Sequence, residues 1–169
     1  SFALSEGNGT PKPHNLNSTF SDGKLNGEKA PVNDGEVSDF IIVAANTDAN
    51  KNNKSLSLFI VDAKQDGVTS ESLETIDPTR PSSRIILKNA EAELLGNSGD
   101  GWEIIQKIFE RAAVLFAFEQ VGGAQVALDE AKKYSLERYA FGKQIGAFQA
   151  LKHKMADMYV KIELAKSNA

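Results

Sequence analysis

Apolar residues in this chain follow two rhythms. Up to about residue 97 they come in short runs rich in Ile, Val, Leu and Phe; beyond it they recur every three or four positions. The first rhythm belongs to strands and the second to helices. Phe2–Ser5 reads as a short strand followed by a turn-rich loop, Gly7–Pro13. Leu16–Phe20 and Lys24–Val32 flank Ser21-Asp22-Gly23, a tight hairpin signal because glycine tolerates the positive φ that such turns need. Phe40–Ala45 and Leu56–Val61 are dense enough in branched and aromatic side chains to be central strands, joined by a polar surface loop, Asp48–Lys54. Leu73–Ile76 and Ser83–Leu87 alternate like strands, with Asp77-Pro78 and Arg80-Pro81 as breakers between them. This succession of short strands and turns predicts an antiparallel β barrel or sandwich over residues 1–96.

From Asn97 onward the chain reads as helical, with Ser98 or Asp100 placed to cap the first free amides. Between Trp102 and about Tyr134, apolar positions 104, 105, 108, 112 and 115, then 121, 124, 128 and 131, keep helical spacing. Around Ala112–Phe118 the apolar pattern closes all round, which predicts burial on several sides, more than a lone hairpin supplies. Gly122-Gly123 falls inside this helix at a cost of about 1 kcal/mol per glycine relative to alanine, which calls for a close neighbour, most simply another helix. A loop through Phe141-Gly142 and Gly146 turns the chain into a second helix from about Phe148 to Ala165. The predicted class is α+β: a β domain over 1–96, then a long antiparallel helical hairpin over 97–169 that forms part of a larger bundle.

Charge and composition narrow the chemistry. The 169 residues are 41% apolar and 25% charged and include no Cys, which excludes a disulfide scaffold and any Cys-ligated metal centre. The absence of Cys favours a reducing compartment, no secretory signal is visible at the start, and a cytoplasmic location is expected. The longest apolar run, Ala112–Phe118, is far short of the roughly 20 residues of a membrane span. Net charge is −4, all of it from the first part, and no basic stripe suits nucleic acid. His14 and His153 do not read as a pair, no hydrolase, Walker or zincin motif is present, and no metal site is expected. Glu119 follows the apolar run directly, where desolvation would raise its pKa toward that of a general base; the plainer reading turns it to a polar face. The loop after Phe2–Ser5 offers amides and hydroxyls to a polar ring or a phosphate, or is an ordinary turn. Arg138 closes the long helix beside Phe141, a place the helix dipole favours for a cation in any case.

Taken in order, these segments resemble the acyl-CoA dehydrogenase family. Phe2–Thr10 resembles its flavin-binding strand and glycine loop, and Leu25-Asn26-Gly27-Glu28-Lys29 its Asn-Gly-x-Lys strand, with Val37-Ser38-Asp39 and Ile41–Ala45 following. Leu94-Leu95-Gly96 with Gly99 and Gly101 matches the opening of its C-terminal helices. Tyr134 through Lys143 and Phe148-Gln149-Ala150 through Met158 form the most specific stretch. The resemblance covers the whole chain and implies a middle β domain plus half of a four-helix bundle. It implies an oxidoreductase of fatty acid metabolism and β-oxidation, with FAD as cofactor, an acyl-CoA thioester as substrate, electron-transfer flavoprotein as partner and a homo-oligomer, dimer or tetramer. A bacterial cytoplasm or a mitochondrial matrix would be its location.

Residue by residue, the resemblance puts Phe2, Leu4 and Ser5 against the isoalloxazine through backbone and hydroxyl groups. Thr10 takes the place of the serine that approaches the flavin phosphate and the thioester, and Asn33, in Pro31-Val32-Asn33, that of a flavin-edge threonine. Arg138, Phe141 and Gln149 align with residues that hold the adenine and pyrophosphate half of FAD from a neighbouring subunit. No catalytic base is assigned within the chain: the usual glutamate lies in the missing half of the bundle, its alternative position falls on Ala112, and Glu119 inherits neither. The family's substrate arginine is replaced by Ala113. Two rival readings are a non-catalytic FAD-binding subunit of a heteromeric enzyme and a ligand-free helical-hairpin module.

Overall fold

The computed structural model describes residues 1–77 and 79–169; Pro78, half of one predicted breaker, lies outside the described residues. Eight strands lead to two helices. They are β1 (Phe2–Ala3), β2 (Thr19–Ser21), β3 (Lys24–Asn33), β4 (Phe40–Asn46), β5 (Leu56–Asp62), β6 (Val68–Leu73), β7 (Ser82–Glu91) and β8 (Glu93–Leu95). Helix α1 (Gly101–Glu137) is followed by a two-residue ribbon, β9 (Tyr139–Ala140) and β10 (Lys143–Gln144), and by α2 (Gln149–Asn168).

The ladders run in the order β6-β7-β3-β2-β4-β5-β8. Only Ala92 separates β7 from β8, so both ends of the β7-to-β8 path belong to one stretch of chain and the sheet curls back on itself as a barrel. Side chains from five strands accordingly meet in one core: Ala3, Leu25 and Val32, Ile41 and Val43, Phe59 and Val61, Ile85 and Leu87. Phe59 is fully buried and stacks on Phe20, ring centroids 4.1 Å apart. The main ladders are antiparallel as expected, with one correction: β1 and β2 both pair with β4 in parallel, which makes the sheet mixed.

β4 and β5 read as unbroken apolar runs because both of their faces are covered. Ile41, Val43, Phe59 and Val61 face the barrel interior, while Ala44, Leu56 and Leu58 join a second cluster with Leu4, Leu16 and Ile105. The first turn of α1 supplies Ile105 to that cluster, and it packs so closely that a Cβ on Gly101 would lie 2.8 Å from the Leu56 carbonyl oxygen. Glycine is required there by contact with the strand beneath. The predicted hairpin at Asp22-Gly23 forms, both residues having positive φ.

Two strand boundaries shift. The predicted Leu73–Ile76 strand is instead β6, Val68–Leu73, and Ile76 is fully exposed. β6 is an edge strand of Thr, Ser and Glu, the polar composition that keeps an edge from pairing with other chains and that hides it from a hydrophobic pattern. Leu16–Phe20 shortens to β2 because Leu16 drops into the second cluster, where its carbonyl accepts the Asn46 side-chain amide at 2.8 Å.

The chain divides into two compact units, Ser1–Gln106 and Lys107–Ala169. In the second, α1 and α2 run antiparallel. Ala117, Val121 and Ala124 share one groove with Ile162 and Ala165, and Leu128 and Lys132 share another with Met155 and Lys152. α1 passes through Gly122 and Gly123 without a break, and a Cβ on either would meet nothing within 4 Å. The close neighbour expected there is not found among the described residues. Nor is the Ala112–Phe118 run buried: Leu115 is 72% and Phe116 60% exposed, because α2 covers one side only of the long helix.

Candidate functional site

Phe2, Leu4 and Ser5 lie on the stretch that begins as β1, inserted between β3 and β4. Phe2 and Ala3 pair with Ile42 and Val43. Beyond them the Ala30 N–H donates to the Ser5 carbonyl at 2.9 Å, and the Gly7 N–H donates to the Ala30 carbonyl at 2.8 Å. The Phe2 and Leu4 side chains are spent on the second core cluster, leaving backbone groups as what these residues could present to a ligand. Asn33, at the end of β3, is exposed, and its carbonyl accepts the Ser1 hydroxyl at 2.6 Å, which brings it beside the start of β1. Thr10 stands apart on an exposed loop; its carbonyl accepts the Asn15 amide at 2.9 Å.

A cleft of about 600 Å³ opens on this unit, bordered by Gly7 and Asn8, by Ala30 and Pro31, and by Ser82 and Arg84. The predicted residues flank these lining positions in sequence without lining the cleft themselves. Ser82 Oγ is buried there without a hydrogen-bond partner, and a Cβ at Gly7 or Gly9 would meet nothing within 4 Å. An orphaned hydroxyl and an open glycine loop suit a polar ligand.

Glu6 and Lys29 are the site's unforeseen pair. Lys29 is completely buried and its ammonium lies 2.7 Å from Glu6 Oε1, with a second bond to the Leu4 carbonyl at 3.3 Å. Glu6 also accepts the backbone N–H groups of Asn17 and Ser18. Burial works against the Glu6 charge, but Lys29 and the two amides outweigh it and hold the carboxyl below its ordinary range. Burial pushes the Lys29 amine down, opposed by Glu6. A signal for this pair was present: period two along β3 puts Lys29 on the side of Leu25, and a lone charge at an inward position demands a partner. A register shift between Lys29 and Val32 then brings Val32 inward as well.

In the helical unit, Arg138, Phe141 and Gln149 gather around the β9–β10 turn. The Ile145 N–H donates to the Arg138 carbonyl at 2.8 Å, and the Phe141 and Phe148 rings meet edge to face at 6.3 Å. Phe141 has φ +51° and is 95% exposed. Left-handed backbone at a bulky residue costs about 1–2 kcal/mol, spent here to hold an apolar ring in solvent. The Arg138 guanidinium is exposed and has no partner among the described residues. α2 begins at Gln149 with Phe148 as N-cap and no side-chain capping bond, so the Gln149 and Ala150 amides remain available, while the Leu151 amide bonds the Phe148 carbonyl at 3.1 Å. A free guanidinium, open helix amides and a bare aromatic ring are a donor set suited to a phosphate-bearing aromatic ligand.

Glu119 is exposed on α1, so this chain does not supply the desolvation that would make it a base. Among the described residues, no group of His, Asp and Glu could hold a metal, and no helix is long and apolar enough to cross a membrane.

Residues 1–90 match the model of the acyl-CoA dehydrogenase middle domain, and residues 99–169 that of the acyl-CoA dehydrogenase C-terminal domain. The chain belongs to the acyl-CoA dehydrogenase family. It is 37% identical over 149 residues to the 3-(aryl)acrylate reductase of Clostridium sporogenes, covering 84% of this chain and 39% of that protein. It is 35% identical over 147 residues to the caffeyl-CoA reductase–Etf complex subunit CarC of Acetobacterium woodii, with the same coverage. The structure of butyryl-CoA dehydrogenase from Megasphaera elsdenii superposes with a TM-score of 0.89 at 28% identity, over 98% of this chain and 46% of that one. The chain thus spans about two fifths of the length of the curated relatives it matches.

Proposed function

We propose that this chain is the middle β domain and first helical hairpin of a flavin-dependent acyl-CoA dehydrogenase. The protein would desaturate an acyl-CoA thioester between Cα and Cβ and pass the electrons to an electron-transfer flavoprotein. The observation that carries this reading is the succession of both family domains, in order, along one chain that also presents two sets of unspent polar groups. The residues fit FAD. Leu4, Ser5 and Asn33 offer backbone, hydroxyl and amide groups to the flavin edge. Thr10 would approach the phosphate and the thioester, and Arg138, Phe141 and Gln149 would hold the pyrophosphate and adenine of a neighbouring subunit's cofactor.

The chemistry that FAD supplies when bound is acceptance of a hydride from Cβ while a base takes the Cα proton. This chain's part would be to bind and orient: Asn33 would meet the flavin edge, and the Thr10 hydroxyl would donate toward the thioester. No residue here is assigned as the base, so this stretch by itself should neither turn over acyl-CoA nor hold FAD firmly. The exposed apolar surface of α1 supports assembly into a homo-oligomer, and the bacterial relatives support a cytoplasmic location. A second reading concerns direction. Two relatives are named as reductases and one of those as part of an Etf complex, so the physiological reaction would add hydride and proton to an enoyl thioester. Purifying the complete protein and adding saturated and unsaturated acyl-CoA without oxygen tests both readings. Stoichiometric flavin that bleaches with the saturated thioester supports desaturation; reduced flavin reoxidised by the unsaturated one supports reduction. A protein without flavin overturns both.

A further inference from the structure

The Glu6–Lys29 pair joins three pieces of chain: the Leu4–Glu6 stretch, the Asn17-Ser18 amides and β3. Lys29 Nζ bonds Glu6 and the Leu4 carbonyl, and Glu6 bonds the amides of Asn17 and Ser18. On either side, backbone bonds lock Ser5 and Gly7 to Ala30. A buried ion pair contributes little net stability, since the cost of desolvating two charges offsets their attraction, and an apolar pair of similar volume often serves as well. What an apolar pair lacks is direction: it cannot fix the Leu4 carbonyl, the 17–18 amides and β3 in one register.

We infer that Glu6 and Lys29 are positioning residues that hold the Leu4–Ser5 stretch against β3 so that the Ser5 hydroxyl and the Asn33 side-chain amide meet the flavin in one rigid arrangement. The inference rests on the flavin reading above. Neither side chain is assigned a contact with the cofactor. Each acts through the backbone it fixes: Leu4 and Ser5 directly precede Glu6, and Asn33 closes the strand that carries Lys29.

The test uses the complete flavin-loaded protein and separates stability from cofactor binding. Lys29→Met alone leaves the Glu6 carboxylate buried without its cation and should lower both thermal stability and FAD affinity. The double variant Glu6→Leu/Lys29→Met removes both charges. It should regain most of the stability lost by the single variant while its FAD dissociation constant stays raised about 10- to 100-fold, the range commanded by groups that orient ligand-contacting residues. FAD affinity that recovers together with stability overturns the inference. Should the double variant not fold, Glu6→Gln decides, with circular dichroism as the check of folding. A folded Glu6→Gln protein with raised FAD dissociation supports the inference, and one with unchanged affinity overturns it. A parent protein that retains no flavin overturns the cofactor reading and this inference with it; a flavin-retaining parent matched by the double variant overturns this inference alone.

Discussion

In the β unit, successive residues of β4 are claimed by different neighbours: Ile41 and Val43 by the barrel interior, Ala44 by the cluster that includes Ile105. In the helical unit, α1 presents Ile108, Phe109, Val114, Leu115, Phe116 and Phe118 with large exposed fractions, and only the side along Ala117, Val121 and Ala124 meets α2. Both regions are rich in apolar side chains, so composition does not separate them. Closure does. A barrel satisfies its own inner face, whereas two helices of a bundle leave most of their apolar surface uncovered. The first unit carries its stability within itself, and the second carries the surface through which a larger assembly would be built.

The sharpest way to break this contrast is to truncate one aromatic residue in each unit. Phe59→Ala removes a fully buried ring stacked on Phe20 and should cost about 3–5 kcal/mol. Phe116→Ala, at a residue 60% exposed in this chain, should change the unfolding of the isolated chain by less than about 0.5 kcal/mol. Urea unfolding followed by circular dichroism reads both. Equal losses would show that Phe116 is buried in solution and that the helical unit is not open.

A smaller effect sharpens the account of the β unit through pH. The native Glu6 pKa lies below its unfolded value of about 4.5, so its contribution is fully present above that value and is lost as pH falls through the native one. Glu6→Gln should therefore flatten the acid limb of the stability profile. An acid limb identical in the variant would mean that the pair does not carry this linkage.

The β half was legible because its signals are local. The Asp22-Gly23 turn, the dense β4 and β5 runs and the Leu25-Asn26-Gly27 strand each state their structure within a few residues. β6 escaped because an edge strand of Thr, Ser and Glu has no apolar face to declare, and β8 because its three residues are exposed. The parallel pairing of β1 and β2 with β4 depends on chain crossovers that no short pattern encodes. The helices were legible from spacing, and the excess apolar surface from the closed pattern at Ala112–Phe118. What covers that surface is not written in these residues. At the candidate site, the resemblance proposes Leu4, Ser5 and Asn33 as flavin contacts, yet it passes over Glu6 and Lys29 as motif letters, although the inward parity of Lys29 with Leu25 calls for a buried counter-charge.

The cofactor assignment meets its most direct test at Arg138, whose guanidinium is exposed and has no partner among the described residues while α2 opens nearby without a side-chain cap. If it grips the FAD pyrophosphate, Arg138→Ala in the complete protein removes a charge-assisted hydrogen bond worth roughly 1.5–3 kcal/mol, or about 10- to 150-fold in affinity. If it is only a cation at a helix end, the variant loses about 0.3–1 kcal/mol of stability and no flavin. Flavin stoichiometry after exhaustive dialysis separates the two: the account predicts a yellow parent and a largely colourless Arg138→Ala protein, and full flavin occupancy in the variant would contradict it.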